Sequence, residues 1–375
     1  MDVRGIRRVG AAVRRRVPAV FLCLALLWMS ACRPAVPISR SQTRYLFDTV
    51  VTITVYDPYT DGYYSAAGRE RPDLDQILTG AMELCQHYED LLSRTKEGSD
   101  IWRINHADGA PVEVDTETAA LLERCQYFSE MSGGAFDVTV APVSELWDFH
   151  PDSPRLPTEQ ALAEAAGRVD YRKLQLDENT VTLPAGMAVD LGGAAKGFIA
   201  DRIAAYLLEQ GIDSALLDFG GNVVAVGGKA PRQLDGPEDQ RAPFHIGVRD
   251  PDGDASGLAA VVYIQTGSVV TSGTYERYFE QDGRRYHHIL NPDTGWPVEN
   301  GLASVTIFSD RSTDGDILST ACFVLGPEEG LALAESLAGV EALFIDDEGK
   351  AFCTSGLSAE GEAGKIQLDL AKELG

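Results

Sequence analysis

Apolar positions along the chain follow two periods, and the switch between them predicts the elements. Residues 45–57 alternate Val51, Ile53 and Val55 with Thr52 and Thr54, the two-residue repeat of a half-buried strand. A polar, glycine-bearing loop follows over 61–71. Leu74, Ile77, Leu78, Ala81, Leu84, Cys85, Tyr88, Leu91 and Leu92 then recur at helical spacing, predicting a long amphipathic helix over 73–92. A second helix opens on an Asp115 cap, runs through Leu121, Leu122, Cys125 and Phe128 to Met131, and stops at Gly133-Gly134. A short third helix covers 158–166. Beyond it the pattern predicts a strand over 181–189, a helix over 196–210, and strands within 214–226, 244–248 and 258–266. Helices over 316–325 and 328–337 precede a closing hairpin of 340–345 and 350–354. Strands and helices alternate irregularly and several strands are hairpin-close. The expected class is therefore α+β, or mixed α/β, rather than a doubly wound parallel sheet.

The first residues follow neither period. Arg14, Arg15 and Arg16 flank an apolar run over 17–29, too short to span a bilayer comfortably and of signal-peptide length. It closes on Met29-Ser30-Ala31-Cys32, small residues directly before a cysteine. Residues 1–31 thus read as an export signal, Cys32 as a lipidation site, and 32–44, polar and proline-bearing, as a tether. A cleaved signal with an incidental cysteine is the plainer alternative. The main domain is expected over 45–356, with an acidic tail over 357–375. A lipid-anchored chain of this kind sits on the extracytoplasmic face of a bacterial cell membrane.

Charge narrows the partners. The chain carries 32 basic and 57 acidic residues, and the first 31 remove six arginines and one aspartate, leaving a net charge near −30. Such a field repels nucleic acid and anionic lipid, so an anionic ligand needs a local pocket of donors or a metal ion. Cys85, Cys125, Cys322 and Cys353 lie far apart in apolar contexts without metal-ligand spacing, and read as buried thiols.

Four segments carry candidate chemistry. In Asp190-Leu-Gly-Gly-Ala-Ala-Lys-Gly197 a strand gives way to two glycines and a helix opened by Lys196, which places backbone N–H groups and an ammonium where a phosphate docks. It is no Walker A loop, since Gly197 follows the lysine; a glycine turn used for packing is the bland reading. Asp316 and Thr320 are four apart on one helix face, hard oxygen donors suited to Mg²⁺, or else a helix-start aspartate and a back-bonding threonine. The stretch 271–295 holds His287 and His288, a notable pair in a chain with six histidines, and ends in the turn Asn291-Pro-Asp-Thr-Gly295. Gly133-Gly-Ala-Phe-Asp137 offers backbone to bracket a flat ring, with Asp137 as acceptor, or is simply a helix stop.

Taken in order, Ser99-Asp-Ile-Trp-Arg-Ile-Asn105, Gly134-Ala-Phe-Asp137, 190–197, Asp218-Phe-Gly-Gly-Asn222, Thr271-Ser-Gly-Thr-Tyr-Glu-Arg-Tyr-Phe279, His288-Ile-Leu-Asn-Pro-Asp-Thr-Gly295 and Asp316-Ile-Leu-Ser-Thr320 resemble the FAD:protein FMN transferase family, the ApbE lipoproteins, over roughly 45–337. The resemblance implies two sheet-and-helix halves with the FAD and Mg²⁺ site between them. It implies Mg²⁺-dependent transfer of FMN from FAD to a Thr or Ser hydroxyl of an acceptor redox protein, with release of AMP. It further implies Asp316, Thr320 and the Gly193 carbonyl as metal ligands, and His288 as the base. Phe47, Thr95, Ala135, Phe136, Asp137, Asp190, Lys196 and Leu290 fall at flavin-nucleotide positions. Phe47-Asp-Thr49 stands in place of the family's Met-Gly-Thr, and Thr95 in place of an aromatic that would stack on the ring; Val138 replaces a common proline and Asn291 a common aspartate. Two other functions fit the same motifs: an FAD pyrophosphatase with water as nucleophile, and a flavin-binding lipoprotein without catalysis.

Overall fold

Val51, Ile53 and Val55 are fully buried, as their alternation requires, yet the strand carrying them is the second arm of a hairpin. The computed structural model describes residues 38–57, 59, 64, 68, 70–150, 152–229, 241–251, 253, 257–357 and 366–370. In it β1 (Ile38–Leu46) pairs antiparallel with β2 (Thr49–Asp57). Phe47 and Asp48 form the loop with φ of 54° and 55°, the left-handed region that a two-residue hairpin turn demands. A short polar side chain tolerates that region, which explains how Asp48 replaces the motif's glycine. From Ile38 onward, then, the expected tether is a strand at the end of the sheet. Leu46 is the one buried residue of β1, so backbone pairing holds it and no apolar period announces it. The signal segment and Cys32 lie outside the described residues.

Helix α1 (Leu74–Leu92) begins where its period begins, its first N–H groups bonded to the Asp73 carboxylate. Helix α2 (Asp100–Asn105), capped by Ser99, is too short for a period to register. After β3 (Val112–Glu113), helices α3 (Thr116–Met131), α4 (Ala141–Ser144) and α5 (Glu159–Ala166) follow, α3 on its expected cap Asp115 and α5 capped by Thr158, the residue expected to open it. Strands β4 (Gln175–Asp177) and β5 (Thr180–Thr182) join β3 in a small sheet. The strand expected over 181–189 is thus cut to its start. Pro184 has no N–H to give, and further on the Asn105 side-chain amide stands in for a partner strand. It accepts from Val189 N–H at 2.7 Å and donates to Val189 C=O at 2.9 Å.

Next come α6 (Ala195–Glu209), β6 (Ala215–Phe219), β7 (Asn222–Val226), β8 (Phe244–Arg249), β9 (Leu258–Ile264) and β10 (Gly267–Gly273). The short strands β11 (Tyr278–Gln281) and β12 (Arg284–His287) pair as a hairpin, and β13 (Leu302–Ser309) leads to α7 (Ser312–Leu325) and α8 (Pro327–Ser336). The expected closing hairpin is β14 (Val340–Asp346) with β15 (Ala351–Cys353). Within the expected acidic tail, β16 (Ile366–Leu370) pairs with β9. Its Ile-Gln-Leu-Asp-Leu alternation is a strand signal, obscured by the acidic composition around it.

Eight strands form one sheet in the order β1-β2-β6-β7-β10-β13-β14-β15, every neighbouring pair antiparallel. Helices α1, α6, α7 and α8 cover one face in that order, and β16-β9-β8 packs on part of the other. A third apolar cluster joins α4 and α5 to the β11–β12 hairpin through Trp147, Phe279, Tyr286 and Leu290. The architecture is mixed α/β on an antiparallel sheet, and the site forms where the helix layer meets this third cluster.

Candidate active site

Helices α6 and α7 cross so closely that one residue decides whether they can. A Cβ on Gly197 would lie 2.2 Å from the Ser312 carbonyl oxygen and 2.8 Å from Asp316 Cβ. Without it, the Gly197 N–H reaches Asp316 Oδ2 at 2.9 Å, while Asp316 Oδ1 faces the Lys196 ammonium at 3.5 Å. Asp316 is 4% exposed, so the phosphate-loop candidate and the cation candidate, 120 residues apart, are one buried junction. Gly197→Ala is therefore expected to destabilise the fold by about 1–3 kcal/mol through overpacking. Thermal unfolding measures this, and an unchanged melting temperature would show that the helices can part freely.

Helix α7 starts at Ser312, four residues before the start expected at Asp316. No side chain next to it in sequence caps it. Instead Asp201, on α6, accepts from Ser312 N–H at 2.8 Å and from Thr313 N–H at 2.9 Å. Burial raises the Asp201 carboxyl pKa against these hydrogen bonds. Arg124 of α3 grips Asp314 with two bonds of 2.7 and 2.6 Å. Asp316 consequently sits in the second turn and not at the helix start, so a dipole-stabilised terminal aspartate is not its role.

Thr320 stands one turn after Asp316, and Gly193 packs against it. A Cβ on Gly193 would sit 3.3 Å from Thr320 Oγ1 and 3.2 Å from Phe136. The three expected cation residues thus come together. Among the described residues no three His, Cys, Asp or Glu side chains cluster as a metal cage. One carboxylate, one hydroxyl and a nearby backbone carbonyl make a donor set that fits an ion retaining waters and sharing a ligand's phosphate oxygens, which describes Mg²⁺.

Asp190 forms the neighbouring wall. Its carboxylate accepts from Gly192 N–H and from Ser144 Oγ, both at 2.8 Å, and Arg94 approaches at 3.7 Å. The Asn105 clamp on Val189 holds the residue immediately before it. Arg94 also reaches Glu145, on the rim of a separate cavity of about 420 Å³ between the end of α2, α4 and residues 183–188.

The remaining expected flavin residues are placed unequally. Ala135 is half-buried and Phe136 buried against Gly193. Asp137 has both carboxylate oxygens engaged, one by Thr139 in its own loop and the other by the Tyr171 N–H 34 residues on, so its side chain ties that loop to the 171–173 turn. Burial raises its pKa. Phe47 stacks on Phe219 with ring centroids 6.3 Å apart and gives its N–H to Glu89. Thr95 is exposed in a turn bonded to Ser93. Leu290 belongs to the aromatic cluster around Trp147.

The two histidines separate cleanly. His287 is buried with both ring nitrogens occupied: Nε2 bonds the Val298 carbonyl at 3.0 Å and Nδ1 accepts the Ile289 N–H at 3.3 Å. His288 is half-buried, and its Nδ1 is buried with no hydrogen-bond partner. Burial first, then the charges of Arg277, His287 and Lys196, push its pKa down to about 3. The ring is therefore neutral with an uncommitted nitrogen, and a weak base until a negative charge beside it raises its pKa. Arg277 also donates to the Asp48 carbonyl at 3.3 Å, bringing the tip of the β1–β2 hairpin to this side of the site. Asp201, Ser144 and Arg277 were not among the expected site residues. Asp201 and Ser144 fall in no quoted motif, because each acts on a partner far away in sequence; Arg277 lies inside the 271–279 motif, but its tie to Asp48, 229 residues away, leaves no local pattern.

A buried carboxylate, a hydroxyl and a lysine thus gather under a glycine turn, with a histidine held neutral under the lysine's field. Comparison with known proteins makes this specific. The ApbE family profile matches residues 47–344. A protein of Treponema pallidum (strain Nichols), named FAD:protein FMN transferase, is 40% identical over 326 residues, covering 84% of this chain and 87% of that protein. One of the same name from Klebsiella pneumoniae (strain 342) is 37% identical over 281 residues, covering 72% and 82%. Among solved structures, the ApbE protein of Thermotoga maritima superposes with a TM-score of 0.73 at 31% identity, covering 85% of this chain and 97% of that one. The flavin transferase ApbE from Vibrio cholerae gives 0.72 at 27% identity, covering 85% and 98%. The chain belongs to the ApbE family.

Proposed function

We propose that this chain transfers FMN from FAD to a Thr or Ser hydroxyl of an acceptor redox protein and releases AMP. The observation that carries the reading is the junction of Gly193, Lys196, Asp316 and Thr320, formed by helices distant in sequence. Asp316, Thr320 and the Gly193 carbonyl would hold Mg²⁺, which offsets charge building on the pyrophosphate oxygens. Lys196 adds a positive charge for the same oxygens. Asp190 and the backbone at Ala135 and Phe136 would line the nucleotide's path. His288 accepts the acceptor hydroxyl's proton as its oxygen bonds to the FMN phosphorus. The bond from that phosphorus to the bridging oxygen breaks, and the oxygen leaves with AMP.

Incubation of the chain with FAD, Mg²⁺ and an acceptor protein tests this. One FMN per acceptor by mass spectrometry, with AMP in equal amount, is expected. FMN and AMP appearing without acceptor, at a rate that acceptor does not change, would make the chain a pyrophosphatase instead.

Anchoring through a lipidated Cys32 would place this chemistry on the extracytoplasmic face, beside a membrane-bound acceptor. Among the described residues no helix is long and apolar enough to cross a membrane. Membrane attachment then rests on Cys32, and Cys32→Ala is expected to shift the protein from the detergent phase to the aqueous phase in detergent partitioning. Continued membrane retention would point to another anchor.

A further inference from the structure

Thr320 is held by a chain of hydroxyls whose direction is set at its far end. Ser319, fully buried in α7, donates its Oγ–H to the Asp316 carbonyl oxygen at 2.9 Å. A carbonyl can only accept, and a serine hydroxyl has one proton. Toward Ser272 on β10, 2.8 Å away, Ser319 Oγ is therefore an acceptor. Ser272 directs its own proton to Ser319, so it meets Thr320 Oγ1, at 3.4 Å, as an acceptor in turn. Among the described residues Thr320 Oγ1 has no other hydrogen-bond partner. Its proton is drawn toward the sheet, and its lone pairs are left for the side where Gly193 lies.

We propose that Ser272 is a positioning residue: by accepting the Thr320 proton, in a direction enforced by Ser319, it presents the Thr320 oxygen to a divalent cation. This rests on the cation reading given above. A hydroxyl ligand must point a lone pair at the metal and its proton away, so an acceptor behind it organises the site before the ion arrives. The interlayer spacing supplies the reason for small residues here. α7 lies so near β10 that a Cβ on Gly315 would be 2.9 Å from Val270 and 3.4 Å from Ser268 Oγ. At this spacing a serine on the strand reaches the helix hydroxyls directly.

The test is a titration of the full chain with Mn²⁺, following the free-ion paramagnetic resonance signal in the presence of FAD and without acceptor. Ser272→Ala is expected to weaken Mn²⁺ binding about tenfold, in the range for loss of a partner behind a metal ligand. Ser319→Ala frees the Ser272 proton to turn toward Thr320, and is expected to weaken binding in the same direction by less. In a Thr320→Val background Ser272→Ala should change nothing further, whereas a purely structural serine would add its effect there. Metal affinity of Ser272→Ala within about twofold of wild type, or an equal loss in both backgrounds, overturns the positioning role. If the unaltered chain binds no Mn²⁺ at all, the cation reading fails and this inference with it. Wild-type binding matched by Ser272→Ala sinks this inference alone.

Discussion

Asp316→Asn is expected to lower kcat/KM for FMN transfer by roughly 10³-fold, about 4 kcal/mol of transition-state stabilisation. The substitution separates charge from architecture. An asparagine carbonyl still accepts the Gly197 N–H that Asp316 Oδ2 receives at 2.9 Å, so the α6–α7 crossing is kept. What disappears is the negative oxygen that faces Lys196 and would bind the cation. Unfolding should therefore change little while transfer collapses, and raising Mg²⁺ should recover part of the rate. Steady-state transfer measured over a Mg²⁺ series, beside a thermal melt, checks both halves. Activity within tenfold of wild type at low Mg²⁺ would move the cation site away from α7.

His288→Gln is expected to cost about 10²–10³-fold in the transfer step, the usual contribution of a positioned base. His287→Gln should instead lower stability, because both nitrogens of His287 hold the backbone around β12 and residue 298. The pH dependence gives an independent readout. With its pKa pushed from the usual 6.5 down to about 3, His288 is neutral in the free enzyme throughout ordinary assay conditions. The profile of kcat/KM, which reports the free enzyme, should then show no loss of base near pH 6.5. Stability follows the same shift with a definite sign. As pH falls from 6.5 toward 3, the unfolded chain takes up a proton that folded His288 refuses, so stability present above that window is lost within it. Burial lowers the pKa of His287 as well, adding to the same acid limb. His288→Gln should make that limb shallower. A kcat/KM profile titrating near 6.5 in wild type would mean that His288 is not held neutral.

How much of this was readable beforehand depended on where each signal resides. Helices α1, α3 and α5 carry their own period and their own cap, and appear where sequence places them. β1 carries neither, since it is held by backbone pairing with β2 and exposes most of its side chains. The strand expected over 181–189 had the right apolar spacing, but its later backbone bonds the Asn105 side chain on one edge and makes only an isolated bridge to 138–140 on the other. The start of α7 was misplaced for a related reason: its capping carboxylate, Asp201, lies 111 residues away from Ser312.

Sequence by itself determined the residue types of the site, their order along the chain and the family they signify. Glycine where backbones must approach, oxygen donors four apart on a helix and a histidine pair are chemical necessities that composition and spacing can display. Tertiary structure alone decided which of those residues meet. It gave His287 two hydrogen-bond partners and left His288 Nδ1 with none, tied Asp137 to the Tyr171 N–H, and closed Asp316 onto Gly197. It also set the direction of the hydroxyl chain behind Thr320. Periodicity records which face of an element is buried, whereas contacts between elements far apart in sequence leave no local pattern, so they exist only once the helices have crossed over the sheet.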